Sequence, residues 1–309
     1  MWPVQPDAYA AGTTRPNRDD PNLMTDRPAP EPVAPALSVI IAARNEAAYI
    51  GPCLDALVAQ QDVPGGLQVV VAANACTDAT VALARAHAPA FAARGWGLVV
   101  LDLAQGGKLG ALAAGEDAAT GRALAYLDAD VICDPALMAQ LATALATPGP
   151  RYATGTLAVT RAASRVTRAY ARIWTRLPFV QGGAVGAGLF AMNRAGRARW
   201  GAWPNIISDD TFARLHFTPA ERIEVPARYH WPMVEGLANL IRVRRRQDAG
   251  VREIARLYPD LLKNEAKAPL TRGHLVRLAL TDPVGLATYL TVHVAVRLRP
   301  AASGWTRGR

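Results

Sequence analysis

Residues 37–42 (Leu-Ser-Val-Ile-Ile-Ala) form a nearly unbroken apolar run one strand long. An apolar spacing of three and four follows (Ile50, Leu54, Leu57, Val58), which predicts a helix. The same succession recurs down the chain. A second strand is predicted at 67–72, then a helix from Val81 to Ala90 capped by Thr77 or Asp78. A third strand at 97–101 leads through Gly106-Gly107-Lys108 into a helix from Leu109 to Asp117, and a fourth strand follows at 123–127. The runs are apolar on both faces, as in strands covered from both sides. Fourfold alternation of strand and helix predicts an α/β fold: a doubly wound, mostly parallel sheet with flanking helices.

A different pattern follows. Arg161, Arg165, Arg168, Arg172 and Arg176 recur at helical spacing within a sector of about 80°, with Val166, Tyr170, Ile173, Trp174 and Leu177 opposite. This basic amphipathic helix fits either an anionic membrane surface or an ordinary packed surface helix. Residues 283–296 are mostly apolar and end at Arg297 and Arg299. Fourteen residues fall short of the roughly 20 that a helical span needs, so an interfacial or re-entrant helix is expected.

Composition sharpens this division. The chain has 309 residues, 51% of them hydrophobic, enough for a sizeable core. Residues 1–36 hold eight prolines and little apolar pattern, which reads as a disordered leader without the features of a signal peptide. Cys53, Cys76 and Cys133 are isolated and form no metal-ligand spacing, which fits a reducing cytosol. Residues 1–239 carry 20 basic and 20 acidic side chains, whereas residues 240–309 carry 14 and 5, the whole of the net +9. With the dense cluster Arg242, Arg244, Arg245 and Arg246, this basic end points to an anionic lipid surface or a nucleic acid. The expected organisation is a leader (1–36), a catalytic domain (37–235) and a basic helical region that associates with membrane (236–309).

The candidate chemistry lies where the fourth strand ends. Asp128 and Asp130 would emerge at the carboxyl edge of the sheet, where open α/β folds bind ligands, and two hard oxygen donors there suit Mg²⁺ or Mn²⁺. No G-x-G-x-x-G follows the first strand, and Gly107-Lys108 is not a phosphate loop: Asp102 stands where its first glycine would be, and Leu109 where its Ser/Thr would be.

Four pieces in register complete the picture. Residues 38–46 (Ser-Val-Ile-Ile-Ala-Ala-Arg-Asn-Glu), Asn74-x-Cys76-x-Asp78-x-Thr80, Gly107-Lys108 and Asp128-x-Asp130 together resemble the family 2 glycosyltransferases of GT-A fold. Further on, the glycine-rich stretch from Gly182 to Arg194 is similar to the family's acceptor-side segment, and Ser208-Asp209-Asp210 to its catalytic-base motif. The resemblance covers roughly residues 37–250. Asp209 replaces the usual Glu. The Gln-x-x-Arg-Trp of processive members is reduced to Asn239-Leu240-Ile241-Arg242-Val243, which favours addition of a single sugar.

The resemblance implies an inverting, metal-dependent transferase that uses a nucleotide-diphosphate sugar, a UDP-sugar by the Asp78 position. Asp130 holds the Mn²⁺ or Mg²⁺, helped by Asp128. Ala43, Arg44, Glu46, Asn74, Asp78 and Lys108 complete the nucleotide-sugar site, with Asp78 reading the base and Lys108 adding positive charge. Gly186 and Gly188 lie on the acceptor side. Asp210 is the general base, and Asp209 positions the acceptor or raises the pKa of Asp210 by like-charge repulsion. His216 and His230 are not taken as metal ligands. The implied acceptor is a glycan or a lipid-linked molecule of envelope or exopolysaccharide synthesis. The expected location is the inner face of the cytoplasmic membrane, peripheral or monotopic, with no nucleic-acid partner.

Two other classes compete. A nucleotidyltransferase would share the fold but place a basic glycine-rich loop where Ala43-Arg44-Asn45-Glu46 stands. A non-catalytic nucleic-acid-binding protein would use Arg242–Arg246 and leave Asp128, Asp130 and Asp210 unexplained.

Overall fold

The computed structural model describes residues 34–181 and 184–298. The expected leader therefore lies, but for its last three residues, outside the described residues, as do Gly182, Gly183 and Arg299. The first half follows the alternation of the sequence: β1 (Leu37–Ala43), α1 (Ile50–Val58), β2 (Leu67–Asn74), α2 (Thr80–Ala86), α3 (Ala88–Ala93), β3 (Gly97–Leu103), α4 (Lys108–Ala118) and β4 (Ala123–Leu127). The one helix expected after β2 is two. Pro89 sits in the first turn of α3, and its ring and missing N–H cannot continue α2, which ends at His87. The N-cap of α2 is Ala79, which offers no side-chain cap, rather than the expected Thr77 or Asp78; Asp78, one residue before it, accepts through Oδ1 from the Thr80 backbone N–H at 3.0 Å.

The second half adds β5 (Ile132–Cys133), α5 (Leu137–Leu145), β6 (Tyr152–Val159), α6 (Arg165–Trp174), β7 (Leu189–Asn193), α7 (Arg194–Arg197), α8 (Asp209–Leu215), β8 (Arg222–Trp231), α9 (Leu237–Leu257), α10 (Arg272–Thr281) and α11 (Pro283–Leu298). Among the described residues the strands form one eight-stranded sheet in the order β3-β2-β1-β4-β7-β6-β8-β5. β3, β2, β1 and β4 are mutually parallel, as expected. β7 then runs antiparallel to both β4 and β6, and β5 antiparallel to β8, while β6 and β8 pair in parallel; the sheet is mixed, with six of its eight strands running one way. The partial or alternating burial of β6 and β8 leaves those strands without an unbroken apolar run, and the chain enters β7 from the opposite direction.

Alternate residues of each strand face opposite ways. Val39, Ile41 and Ala43 of β1 pack under α1 and α5 with Leu54 and Leu141, while Ile40 packs under α4 with Leu112 and Tyr126. A third cluster joins the C-terminal helices to α6: Tyr170, Ile173 and Trp174 are buried against Leu240 of α9, Leu278 of α10, and Val292 and Val296 of α11. The apolar face of α6 is thus covered by protein rather than lipid, and one face of α11 is buried the same way. Arg172 ties α6 to the start of α11 with two bonds to Asp282, at 2.7 and 3.0 Å. No helix of the described residues is long and apolar enough to cross a membrane.

Candidate functional site

The carboxyl ends of β1, β2 and β4 converge on one cleft. Asn74, buried at the end of β2, donates through Nδ2 to the Ala43 carbonyl at 2.9 Å and accepts through Oδ1 from the Gly107 N–H at 3.0 Å. It thereby locks the β1 terminus to the start of α4. Gly107 holds φ +143°, a backbone state that side chains disfavour, and so delivers Lys108 to the first turn of α4. Asn45 and Ala75, beyond the ends of β1 and β2, also adopt positive φ (53° and 47°), a strained state that clusters at ligand sites.

Asp128 and Asp130 share one tight turn, closed by the Val131 N–H donating to the Asp128 carbonyl at 3.1 Å. The Asp128 N–H donates in turn to the carbonyl of Gly188 at 2.9 Å. Gly188 has φ +78°, and a Cβ there would sit 2.6 Å from the Trp231 ring, so only glycine brings β7 and β8 this close to the aspartates.

Two hollows meet at this point. The larger, about 1130 Å³, is lined by Arg44, Glu46, Asn74, Asp128 and Asp130. The smaller, about 480 Å³, is lined by Gly186, Gly188, Asp210, Arg214, Trp174 and Phe179. Lys108, Asp128, Asp209, Trp231, Arg246 and Gln247 border both. Lys108 is the junction: its Nζ lies 3.3 Å from Asp128 Oδ1 and 3.0 Å from Asp209 Oδ2. Burial disfavours its ammonium, but Asp128, Asp209 and Asp210 outweigh that and raise its pKa.

Asp210 stands in the first turn of α8, on the smaller hollow, and its Oδ1 accepts from the Thr211 N–H at 2.6 Å. Burial first, and the adjoining Asp209 charge second, lift its carboxyl to about 6, while Lys108 opposes the rise. A carboxylate tuned toward neutrality and facing a hollow has the makings of a general base. Asp209 is buried and bound to Lys108.

The remaining sequence candidates fall differently. Ala43 contributes only its backbone. Asp78 lines neither hollow; its Oδ2 accepts from the Ala47 N–H at 3.1 Å, and its Oδ1 from both the N–H and the hydroxyl of Thr80. Burial would raise its pKa, but those bonds prevail and lower it. The loop it organises carries Glu46, whose N–H donates to Thr80 Oγ1 at 2.7 Å. His216 Nδ1 lies 2.8 Å from the Phe212 carbonyl, and His230 Nε2 lies 2.8 Å from Asp134 Oδ1.

Among the described residues no three His, Cys, Asp or Glu side chains converge on a possible metal position. Asp128 and Asp130 supply two hard donors on one turn facing the larger hollow. That set fits a hexacoordinate Mg²⁺ or Mn²⁺ whose other ligands are phosphate and water.

Sequence reasoning missed α9. Arg244 and Arg246, read as part of a lipid-facing cluster, line the hollows, while Arg245 donates to the Ala295 carbonyl of α11 at 2.6 Å. The signal was Gly250, a glycine inside a 21-residue helix. A Cβ there would collide with the Ser208 hydroxyl. Three residues on, Glu253 accepts from the Ile207 N–H at 2.8 Å, so α9 clamps the loop that presents Asp209 and Asp210.

Two hollows that meet at a lysine and acidic side chains, on a GT-A-like mixed α/β sheet, are what this arrangement defines. The chain belongs to the family described as glycosyl transferase family 2, whose model matches residues 38–211, and it is a glycosyltransferase. That membership sets aside the nucleotidyltransferase and nucleic-acid-binding readings. No curated protein matches the chain. Among solved structures it is similar to the mannosyltransferase PcManGT from Pyrobaculum calidifontis, in complex with GDP-Man and Mn²⁺. The TM-score is 0.53 at 23% identity, over 89% of this chain and 79% of that one. It is also similar to S. aureus TarS, with TM-score 0.51 at 13% identity, over 83% of this chain and 43% of that one. At these identities the likeness concerns the fold.

Proposed function

We propose that the protein is an inverting, metal-dependent glycosyltransferase that moves a single sugar from a nucleotide-diphosphate sugar to an acceptor hydroxyl. The donor occupies the larger hollow and the acceptor the smaller one. The observation that carries this reading is the segregation of the carboxylates: Asp130 lines only the larger hollow, Asp210 only the smaller, and Asp128 and Asp209 border both.

In this reading Asp128 and Asp130 hold the divalent ion, which would neutralise the charge developing on the departing diphosphate. Lys108 adds a cation at the same junction, and Arg44, Glu46 and Asn74 border the nucleotide. Asp210 takes the proton of the acceptor hydroxyl as its oxygen attacks the anomeric carbon from the face opposite the diphosphate. One displacement of this kind inverts the configuration. Asp209 holds Lys108 and keeps Asp210 basic. Trp174, Phe179 and Trp231 offer ring faces to the acceptor.

The donor is a UDP-sugar by the family resemblance around Asp78, which acts through the loop it braces or through the remaining capacity of Oδ2. A GDP-sugar, as PcManGT binds, is the alternative. The acceptor is a glycan or lipid-linked molecule of envelope or exopolysaccharide synthesis, met at the cytoplasmic face of the membrane. The test is nucleotide release from UDP- and GDP-sugars with Mn²⁺, in the presence of membrane lipid extract. Product should carry the inverted anomer, and Asp210→Asn should lose turnover while still binding nucleotide. A retained anomer, or full activity in Asp210→Asn, would refute the assignment.

A further inference from the structure

The helices α10 and α11 present apolar side chains to the outside. On α11, Val284, Leu290, Val294 and Leu298 fall on one side at 100° per residue, opposite the buried Gly285, Val292 and Val296. On α10 only Leu278 is buried, while Val276 and Leu280 point away from it. The exposure is large: 80% for Leu280, 77% for Leu298 and 67% for Val284. Single exposed apolar residues are ordinary, but a row of them along two consecutive helices marks an interaction surface.

Charge identifies the partner. From residue 266 to the C-terminus the sequence holds seven Lys/Arg and a single acid, Asp282. That acid is neutralised by its two bonds to Arg172. Arg272 and Arg277 flank the exposed side of α10, and Arg297 borders that of α11. Three of the seven basic residues fall in 299–309, a stretch of the sequence with one tryptophan and no acid. Apolar residues rimmed by arginine match an anionic bilayer surface: the side chains enter the acyl boundary and the guanidinium groups meet lipid phosphate.

We propose that the exposed face of α10 and α11, with the arginines around it, docks the enzyme on an anionic lipid bilayer. The face is continuous with the acceptor side of the site, because Lys267 and Ala268 line the smaller hollow and lead within a few residues into α10. Docking there brings a membrane-borne acceptor to the mouth of that hollow. The inference rests on the membrane reading given above and adds the surface and the lipid charge.

The experiment is flotation of the full chain with phosphatidylcholine vesicles, with and without phosphatidylglycerol, for wild type and for Leu280→Glu/Val294→Glu. Both sites are solvent-exposed, so the variant should keep the wild-type melting temperature and nucleotide binding. Wild type should float with the anionic vesicles only, less at high salt, and the variant should lose at least about tenfold in partitioning. Wild type that floats on neither vesicle overturns the membrane reading itself. Wild type and variant floating equally overturns this face and leaves that reading standing. A wild-type dimer by light scattering, made monomeric in the variant with flotation unchanged, assigns the face to a second copy and likewise overturns the proposal.

Discussion

In the proposed mechanism Asp210 is the general base, and its environment makes two outcomes measurable. Its carboxyl is raised to about 6 by burial and by Asp209, so the base is ionised only above that pH. The acidic limb of the kcat/KM profile should therefore have its midpoint near 6, with activity lost as pH falls through it. Lys108 counters the rise, so Lys108→Met should move that midpoint upward, a displacement that a purely structural lysine would not cause. Stability has the opposite sign. A raised folded pKa means that the folded state binds the proton more tightly, so this group's contribution falls as pH rises from the ordinary carboxylate range through about 6. Asp210→Asn should consequently melt higher than wild type at about pH 8 and converge with it at about pH 4, even as it loses about 10²-fold or more in turnover.

Elements differ in how far the chain declared them. The strands β1, β2 and β4 are buried on both faces and the edge strand β3 is partly covered, so each is a run of mostly apolar residues bounded by polar turns, and all four were legible. The chain ends of those strands, with Asn74, Lys108, Asp128 and Asp130, were legible for the same reason, because a strand's carboxyl edge is fixed once the strand is. Strands β6 and β8 and the helix α9 were not. Their burial alternates or is partial, and the arginines of α9 divide between the site and the contact with α11, which no local pattern can tell from a lipid-facing cluster. Asp78 was legible as an acid at the start of α2, but the bonds that engage its carboxylate come from residues 47 and 80, set by the fold of two loops. Two substitutions test the account at this scale. Ala in place of Gly250 gains about 1 kcal/mol of helix propensity. Yet its Cβ meets Ser208, so kcat/KM should fall with a smaller loss of melting temperature. Glu116 of α4 accepts from Tyr126, Arg197 and Trp203 at 2.6 to 3.0 Å, with both partners of its ion pair mostly buried. Glu116→Ala should cost about 3 kcal/mol in a denaturant titration, because it strands a buried guanidinium. The Arg172–Asp282 pair, whose guanidinium is half-exposed, should be worth about 1 kcal/mol or less.

At the scale of the whole molecule, the sheet delivers two hollows to one junction and α9 borders both, while the basic helices run from the wall of the smaller hollow toward the outer apolar face. The family model accounts for the sheet apart from β8 and for the first four motifs, and β8 with the C-terminal helices supplies the rest of the site wall. The central claim is that the larger hollow takes a nucleotide-diphosphate sugar through a metal ion held by Asp128 and Asp130. Thermal shift with UDP and GDP, each with and without Mn²⁺, on wild type and Asp130→Ala, tests it most directly. At about 100 times its Kd a ligand stabilises the fold by about 2.7 kcal/mol, a resolvable change in melting temperature. The account predicts a shift with UDP that requires Mn²⁺ and vanishes in the variant; the same pattern with GDP alone would keep the site and change the donor. A shift of equal size without metal, or one that survives in Asp130→Ala, would contradict it.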